Sequence, residues 1–257
     1  MLFVKLLKYI GLPAVTCMAL NASAQQPKPK PKTPVPLQEK KLKVQSLPFD
    51  INGMHVQFQY IVKHDVYADN PKEKVVVLDK KLVDLKRKIV VLDFPIQEDI
   101  SPTIDLSGIK NAKYIDQDFD DVNFDGYKDI REGCEPCSGS LGNVESVYLF
   151  KHHPKNFQLW ADIMGINVEI DPKAKTVQCY SKGAGGGPFS FQEIKFASGG
   201  VQLYEKTVIC NFLDEKKPTF KVSYDKYVGK KRTAYKTRVI NFEQSHDPWT
   251  IIEEMTK

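Results

Sequence analysis

The sequence predicts an all-β protein built from antiparallel strands, on the basis of three observations. Short alternating or β-branched apolar segments recur through residues 46–257, and turn-forming residues separate them. These segments follow one another without the regular strand–helix alternation of a parallel sheet. Glycine-containing connections such as residues 198–200 favour tight hairpin turns. A β-propeller-like arrangement is the first interpretation, and a β-sandwich is the alternative.

Each predicted element has its own pattern. Residues 55–62 alternate with period two, and residues 75–78 and 89–94 are short β-branched runs. The other predicted strands lie at residues 144–150, 176–180, 189–196, 201–210, 220–224 and 234–242. Only residues 78–88 and 249–255 suit short helices.

A weak internal repeat favours the propeller over the sandwich. The apolar strand at 147–150 is followed by a turn and a return strand at 157–159. The same order recurs at 189–191 and 201–204, across a glycine turn. Successive hairpins of this kind are typical of propeller blades.

The first 24 residues have the features of a signal peptide. Lys5 and Lys8 precede an apolar core at residues 10–20, and a small-residue pattern ends at Ala24, after which we expect cleavage. Cys17 could suggest a lipoprotein, but the apolar stretch continues past it. The core is shorter than the roughly 20 residues of a transmembrane helix. The mature protein is therefore expected to lack a transmembrane segment and to be periplasmic or secreted.

Residues 25–45 are rich in proline and lysine, which predicts an extended, disordered linker. Residues 46–257 are expected to form a single domain, long enough for one sizeable core. The net charge of +5 is concentrated at the N-terminus, where residues 1–45 hold eight lysines and one glutamate; residues 46–257 therefore carry −2. This charge does not predict a nucleic-acid partner.

Four cysteines remain after removal of the signal peptide, and an even number in an exported protein favours disulfides. Three connectivities are possible, of which we prefer Cys134 with Cys137 and Cys179 with Cys210. A zinc site is the alternative, since Cys134 and Cys137 have ligand spacing. The other two cysteines lie 31 residues apart, which disfavours zinc.

Residues 121–132 have the pattern of a calcium-binding loop. Oxygen-bearing side chains recur at its positions 1, 3, 5 and 9, and Gly126 at position 6 allows the chain to fold back. The predicted ligands of Ca²⁺ are the side chains of Asp121, Asn123, Asp125 and Asp129 and the main-chain carbonyl of Tyr127. Glu132 at position 12 is a further candidate ligand.

The residues around this loop favour strands over the helices of an EF-hand. Residues 114–119 alternate like a strand, and residues 133–136 cannot extend a helix. Asp116, Asp118 and Asp120 add negative charge that a cation would offset. The alternative is a turn rich in Asn, Asp and Gly that holds no ion. Any bound ion is expected to be structural.

The loop at 121–129 and the strands at 147–150 and 157–159 resemble the calcium repeats of FG-GAP-type propellers. The wider resemblance, over residues 113–210, is to small exported bacterial proteins that carry one such loop. That family includes periplasmic inhibitors of lysozyme-like peptidoglycan hydrolase toxins. The resemblance implies a β-propeller-like fold, one bound Ca²⁺ and a protein partner, a cell-wall hydrolase.

The sequence favours a binding protein over an enzyme, since neither a Gly-x-Ser-x-Gly nor a His-Glu-x-x-His motif is present. Residues 216–238 hold nine lysines and arginines with three interleaved tyrosines. Such a stretch suits an acidic protein partner or an anionic cell-wall polymer, although it also suits a solvated strand face. The alternatives are a carbohydrate-active enzyme, with carboxylates from distant strands, and a passive envelope module that binds cell-wall glycan.

Overall fold

The computed structural model describes residues 38–67, 70–96, 103–104, 106–113, 117–133, 142–183, 187–214 and 217–257. It confirms an all-β, antiparallel protein, with open sheets of six, four and six strands. This arrangement is consistent with a propeller-like or a sandwich architecture. The predicted signal peptide, residues 25–37 of the predicted linker, Cys134 and Cys137 lie outside the described residues.

Sixteen strands lie in the described part of the chain. In chain order they are β1 Gln38–Gln45, β2 Phe49–Ile51, β3 Met54–Tyr67, β4 Asn70–Asp84, β5 Ile89–Asp93, β6 Thr103–Ile104, β7 Gln117–Asp120, β8 Asp129–Gly133, β9 Glu145–Lys151, β10 Asn156–Leu159, β11 Glu169–Asp171, β12 Thr176–Lys182, β13 Phe189–Phe196, β14 Gln202–Asp214, β15 Lys217–Val228 and β16 Lys231–Asn241. Two helices, α1 Leu106–Asn111 and α2 Pro248–Thr256, accompany a 3₁₀ turn at Gln244–His246. No helix of these described segments is long and apolar enough to cross a membrane.

The sheets follow the order of the chain. The first sheet runs β1-β3-β4-β5, with β2 beside β3 and β6 beside β4. The middle sheet runs β10-β9-β8-β7, and the last sheet runs from β11 to β16 in sequence order. The predicted hairpins β9–β10 and β13–β14 are confirmed as antiparallel neighbours.

The middle sheet buries both of its faces. On β9, Tyr148 and Phe150 join the core of the first sheet. Val147, which points to the opposite face, joins a second core with Ile194 and Phe196 of the last sheet. The alternation of one strand therefore connects two cores, and the middle sheet lies between the other two.

A third core lies on the other face of the last sheet, under α2. Ile251, Ile252 and Met255 of α2 are buried against strand residues that include Val208 and Val222. The helix begins at Pro248, a favourable first residue, and the Asp247 side chain accepts a hydrogen bond from the Thr250 N–H. The helix predicted at 249–255 is thus confirmed.

The helix predicted at 78–88 is wrong. Residues 78–84 belong to β4, which pairs with both β3 and β5, and a turn follows at 85–88. Leu82 is fully buried between these neighbours. Ladder bonds on both sides and burial outweigh a local helical pattern, because propensity is a weak term beside tertiary packing. The short helix α1 was not predicted.

The predicted linker ends too late in the chain. Residues 38–45 form β1, which pairs with β3 along its whole length. Val44 is buried in the first core, and Leu42 packs against it. The linker prediction is therefore wrong for these eight residues, because β3 provides a strand partner and the alternate apolar side chains of Leu42 and Val44 pack on the core.

The predicted Cys179–Cys210 disulfide is also wrong, since both thiols are free and buried. Cys179 on β12 lies in the second core, and Cys210 on β14 lies in the third core under α2. Strand β13 separates them, which places their strands about 10 Å apart, beyond disulfide reach. Burial raises the pKa of each thiol to about 11.

Candidate metal centre

The loop between β7 and β8 carries all five predicted calcium ligands. Asp120, which ends β7, pairs with Asp129, which begins β8, so that two antiparallel strands close the loop. The expected strand-flanked loop is confirmed, and the loop lacks the two flanking helices that define an EF-hand.

The Asp121 carboxylate organises the middle of the loop. Its Oδ1 accepts a hydrogen bond from the Asp125 N–H at 2.9 Å, and its Oδ2 accepts one from the Gly126 N–H at 3.0 Å. These bonds fold the chain back over Asp121, as in an Asx-type turn. Gly126 has φ 91°, and a Cβ there would meet nothing within 4 Å. Backbone conformation, not space, is therefore what favours glycine at this position.

Asn123 and Asp125 are brought together by their side chains. Asn123 Nδ2 donates to Asp125 Oδ2 at 3.1 Å, and the Asp125 N–H donates to Asn123 Oδ1 at 3.2 Å. Asp125 Oδ1 in turn accepts from the Tyr127 N–H at 2.9 Å. Positions 3, 5 and 7 of the loop thus form one hydrogen-bonded unit.

The Asp129 carboxylate is fully buried at the base of the loop. Its Oδ2 accepts from the N–H groups of Val122 at 2.9 Å and Asn123 at 3.4 Å, and its Oδ1 accepts from Phe150 at 2.8 Å. Burial, with a smaller contribution from the charge of Asp125, raises the pKa of Asp129 to about 7 against the opposing effect of these bonds. The side chain ties the loop to β9 while holding a charge away from water.

Residues between the predicted ligands anchor the loop in two cores. Val122 is fully buried in the second core, and the Phe124 ring lies 5.8 Å from that of Phe196. The Tyr127 ring lies 5.2 Å from that of Phe150, at the edge of the first core. Phe124 has φ 60°, a conformation that costs a non-glycine residue about 1 kcal/mol or more. Its packing against Phe196 in the second core holds it there.

Two hairpins from different sheets form hydrogen bonds with the loop. In the β2–β3 turn, Asn52 Nδ2 donates to the Lys128 carbonyl at 2.8 Å, and its Oδ1 accepts from the Lys128 N–H at 2.9 Å. In the β13–β14 turn, the Gly199 N–H donates to the Phe124 carbonyl at 3.0 Å. The loop therefore links the first sheet to the last.

The Gly200 backbone approaches the loop so closely that a side chain would collide with it. A Cβ at Gly200 would lie 2.8 Å from the Asp125 Cβ. The sequence signals both hairpins, through an Asn-Gly pair at 52–53 and a Gly-Gly pair at 199–200. It does not signal that either reaches the loop, because these contacts span more than 70 residues.

The structure places two nearby charged residues away from the loop. Glu132 forms an ion pair with the buried Lys80, whose ammonium also lies 4.4 Å from the centre of the Phe94 ring. Arg131 binds the carboxylates of Asp120 and Glu145 at 3.1 and 2.7 Å. Part of the acidic crowding is thus neutralised by protein cations, and Glu132 faces Lys80 in this structure.

The loop fits calcium by its chemistry, although its carboxylates do not cluster. Its predicted donors are oxygens, as hard cations require, and it includes a glycine with positive φ. Within the described ranges, no group of three or more His, Cys, Asp or Glu side chains lies close enough to hold a metal ion. The carboxylates accept main-chain N–H groups of the loop instead. Calcium ligation by Asp121, Asn123, Asp125, Tyr127 and Asp129 remains a prediction.

Comparison with known proteins leaves the family open. No protein family and no curated protein matches the chain. Among solved structures, the chain is similar to a protein described as a Xanthomonas type IV secretion system related protein. The two share 13% identity with a TM-score of 0.32, over 78% of this chain and 100% of the other. A likeness at this level carries no argument about function.

Proposed function

We propose that this chain is an exported, calcium-stabilised binding protein that inhibits a peptidoglycan hydrolase. Its main support is the loop at 121–129, a hydrogen-bonded acidic loop that hairpins from two sheets hold in place. A loop fixed so firmly suits a structural ion that keeps the surrounding surface in shape.

Five residues of the loop would hold the ion. They are Asp121, Asn123, Asp125 and Asp129 through side-chain oxygens and Tyr127 through its carbonyl. Calcium would supply positive charge that offsets the repulsion among three carboxylates. The gain is largest for Asp129, since its buried carboxylate has no water to stabilise its charge.

Basic, tyrosine-bearing patches on the two faces of the last sheet support the inhibitor role. Lys206 and Lys226 each lie with Nζ 4.9 Å from the centre of the Tyr204 ring, and the Arg232 guanidinium lies 4.7 Å from that of Tyr235. Hydrolases that cleave glycosidic bonds carry paired carboxylates in their clefts. A cationic, aromatic surface is complementary to such a cleft, and the resemblance of residues 113–210 points to the same partner class.

Calcium titration of the mature protein tests the ion. We expect calorimetry to detect one site per chain and Asp125→Asn to weaken it at least about tenfold, because a charged ligand is lost. Asp171→Asn is a matched control, since Asp171 also accepts two N–H bonds within a turn. Equal calcium binding by both variants would refute the assigned site.

A hydrolase assay tests the inhibitor role. The protein, saturated with calcium, is added to lysozyme-type hydrolases acting on purified peptidoglycan, and we expect one of them to be slowed at stoichiometric concentration. Cleavage of peptidoglycan by the protein alone would favour a carbohydrate-active enzyme. Retention on peptidoglycan without inhibition of any hydrolase would favour a passive cell-wall-binding module.

A further inference from the structure

Strand β16 is a long, exposed edge of the last sheet. It pairs with β15 on one side, and no strand of the described segments pairs with its other side. Only Ile240 among its eleven residues is buried. Such an edge presents a row of main-chain groups on which an extended segment of another protein can form a ladder.

The structure identifies which main-chain groups face outward. The Asn241 N–H donates to the Gln244 side chain at 3.1 Å, so it points away from β15. In an antiparallel pair, outward-facing residues alternate along the strand. Val239, Thr237 and Tyr235 therefore also direct their N–H and carbonyl groups away from β15, into the open edge.

The positive charge of the edge disfavours pairing of β16 with the β16 strand of a second copy of the chain. Lys231, Arg232, Lys236 and Arg238 lie on β16, which has no acidic residue. Two β16 strands paired with each other would set these cations side by side, which is destabilising. An acidic strand would meet no such repulsion.

The two faces of the edge have different chemistry. Lys236 lies on the face covered by α2, with its Nζ 5.7 Å from the centre of the Tyr224 ring. Arg238 on the same face is already paired with Glu254. The opposite face presents Tyr235 and Val239, which are 49% and 60% exposed. A strand beside β16 would thus meet Lys236 on one face and, on the other, Tyr235 and Val239 together with an Arg232 that is already paired with Asp225.

We propose that β16 takes up an extended strand of a protein partner in which acidic residues alternate with β-branched apolar ones. The outward groups of Tyr235, Thr237 and Val239 would bond its main chain, and Lys236 would face its acidic side chains. This inference rests on the proposed function in taking the binding partner to be a protein, and it adds the docking edge and the partner's sequence pattern.

Synthetic peptides test this edge without a known partner. The probe is the acetylated peptide Val-Glu-Thr-Glu-Val-Glu-Val, compared with the same peptide carrying Lys for Glu, with a scrambled order and with alternate N-methylated amides. We expect NMR titration to show binding of the first peptide only, with slower amide exchange at residues 235, 237 and 239. Equal binding of the N-methylated and scrambled peptides would overturn the proposal, since it would indicate a polyanion patch without a ladder.

Three protein variants sharpen the result. Thr237→Pro removes one outward N–H, and proline is tolerated at an edge strand, whereas Thr237→Val retains that N–H. We expect Thr237→Pro to weaken peptide binding by about tenfold, the cost of losing one or two ladder bonds, and Thr237→Val to leave it unchanged. Lys236→Glu leaves the main chain intact. It should weaken binding of the acidic peptide and strengthen binding of the peptide that carries lysine. Equal binding by all three variants, or dimerisation of the protein through this edge, would overturn the proposal.

The outcomes separate this inference from the proposed function. If a hydrolase is inhibited and Thr237→Pro inhibits it equally well, the inhibitor role stands and the docking edge is wrong. If the peptides bind as expected but no hydrolase is inhibited, the edge stands and the partner class is wrong. All of these measurements are made in excess calcium, so that a calcium-free, disordered loop does not affect the binding of the peptides.

Discussion

At the scale of single residues, buried carboxylates hold local main-chain structure. Asp129 accepts three N–H groups from the loop and from β9. Asp84 accepts the N–H groups of Lys86 and Arg87 in the turn after β4, and its Oδ2 accepts from Arg87 Nε at 2.7 Å. Each side chain satisfies donors that no strand ladder reaches. Removal of Asp129 leaves buried N–H groups without a partner, whereas Lys86 and Arg87 lie in an exposed turn.

Replacement of Asp129 by alanine should destabilise the protein strongly even without calcium. The change leaves buried N–H groups without a hydrogen-bond partner, and we expect a loss of about 3 kcal/mol in the free energy of unfolding. Urea denaturation in chelator measures it. Asp171→Ala, at an exposed turn, should cost well under half as much, and equal losses would contradict the role given to Asp129.

The stability of the fold should fall in acid partly through Asp84. Burial acts to raise the pKa of this carboxyl, but the hydrogen bonds from Arg87 and Lys86 outweigh it and hold the pKa below its ordinary value. A carboxyl with a lowered pKa in the folded state stabilises above its unfolded pKa of about 4, and this contribution is lost as pH falls through the folded pKa.

Urea denaturation at pH 7, 4 and 3 measures this effect. Asp84→Asn should be less stable at pH 7 and should lose less stability between pH 4 and 3. Asp93→Asn, at a largely exposed carboxylate, is the control. An unchanged acid dependence in Asp84→Asn would contradict the assignment.

At the scale of elements, turns distant in sequence support the loop. The β2–β3 turn binds Lys128 through Asn52, and the β13–β14 turn binds Phe124 through Gly199. Both turns and the loop contain residues with positive φ. The loop conformation therefore depends on two other pieces of irregular backbone, each held by its own hairpin.

Adjacent glycines in the β13–β14 turn separate the effect of backbone angle from that of contact. Gly199 has φ 80° and Gly200 has φ 75°, so alanine at either position should cost about 1 kcal/mol. Only Gly200→Ala also collides with Asp125, at 2.8 Å, whereas a Cβ at Gly199 meets nothing within 4 Å.

We therefore expect Gly200→Ala to destabilise by about 1–2 kcal/mol more than Gly199→Ala and to weaken calcium binding, which Gly199→Ala retains. Urea denaturation and calcium calorimetry on the two variants measure both effects. Equal behaviour of the pair would show that the close approach of Gly200 to Asp125 is unimportant.

At the scale of the whole molecule, the loop lies where the three sheets come together. Its own strands belong to the middle sheet, and its side chains reach both neighbouring cores. An ion bound there would stabilise contacts among all three sheets. Binding of such an ion would add to the stability of the whole fold by linkage, about 2.7 kcal/mol at a free concentration of one hundred times its dissociation constant.

Removal of calcium should therefore speed the hydrogen exchange of amides that lie far apart in sequence. In hydrogen exchange with and without chelator, we expect the Lys128 and Gly199 amides to exchange faster in chelator. The Lys128 N–H donates from the loop to Asn52, and the Gly199 N–H donates to the loop carbonyl of Phe124. The Val222 amide, in the core under α2, serves as the reference. Loosening confined to residues 121–129 would contradict a role for the loop in linking the sheets.

The strand content of this protein was predictable from local pattern. Period-two alternation and glycine turns correctly indicated most strands, the hairpins β9–β10 and β13–β14 and the strand-flanked acidic loop, but not β1, β2, β6, β8 or β11. The failures at 38–45 and 78–88 share one cause. Residues 38–45 and 78–84 are strands because β3 provides a partner, and a single sequence does not show which segment pairs with which.

By itself the sequence determined the all-β class and the place and ligand types of the candidate calcium loop, because these depend on residues adjacent in the chain. Tertiary structure alone decided the free, buried state of Cys179 and Cys210, the pairing of Glu132 with Lys80 and the grip of two hairpins on the loop. It also decided that β16 forms an edge with which no other described strand than β15 pairs. Each of these features depends on which strands become neighbours and which faces they bury. Burial of apolar side chains in the folded chain selects those neighbours and faces.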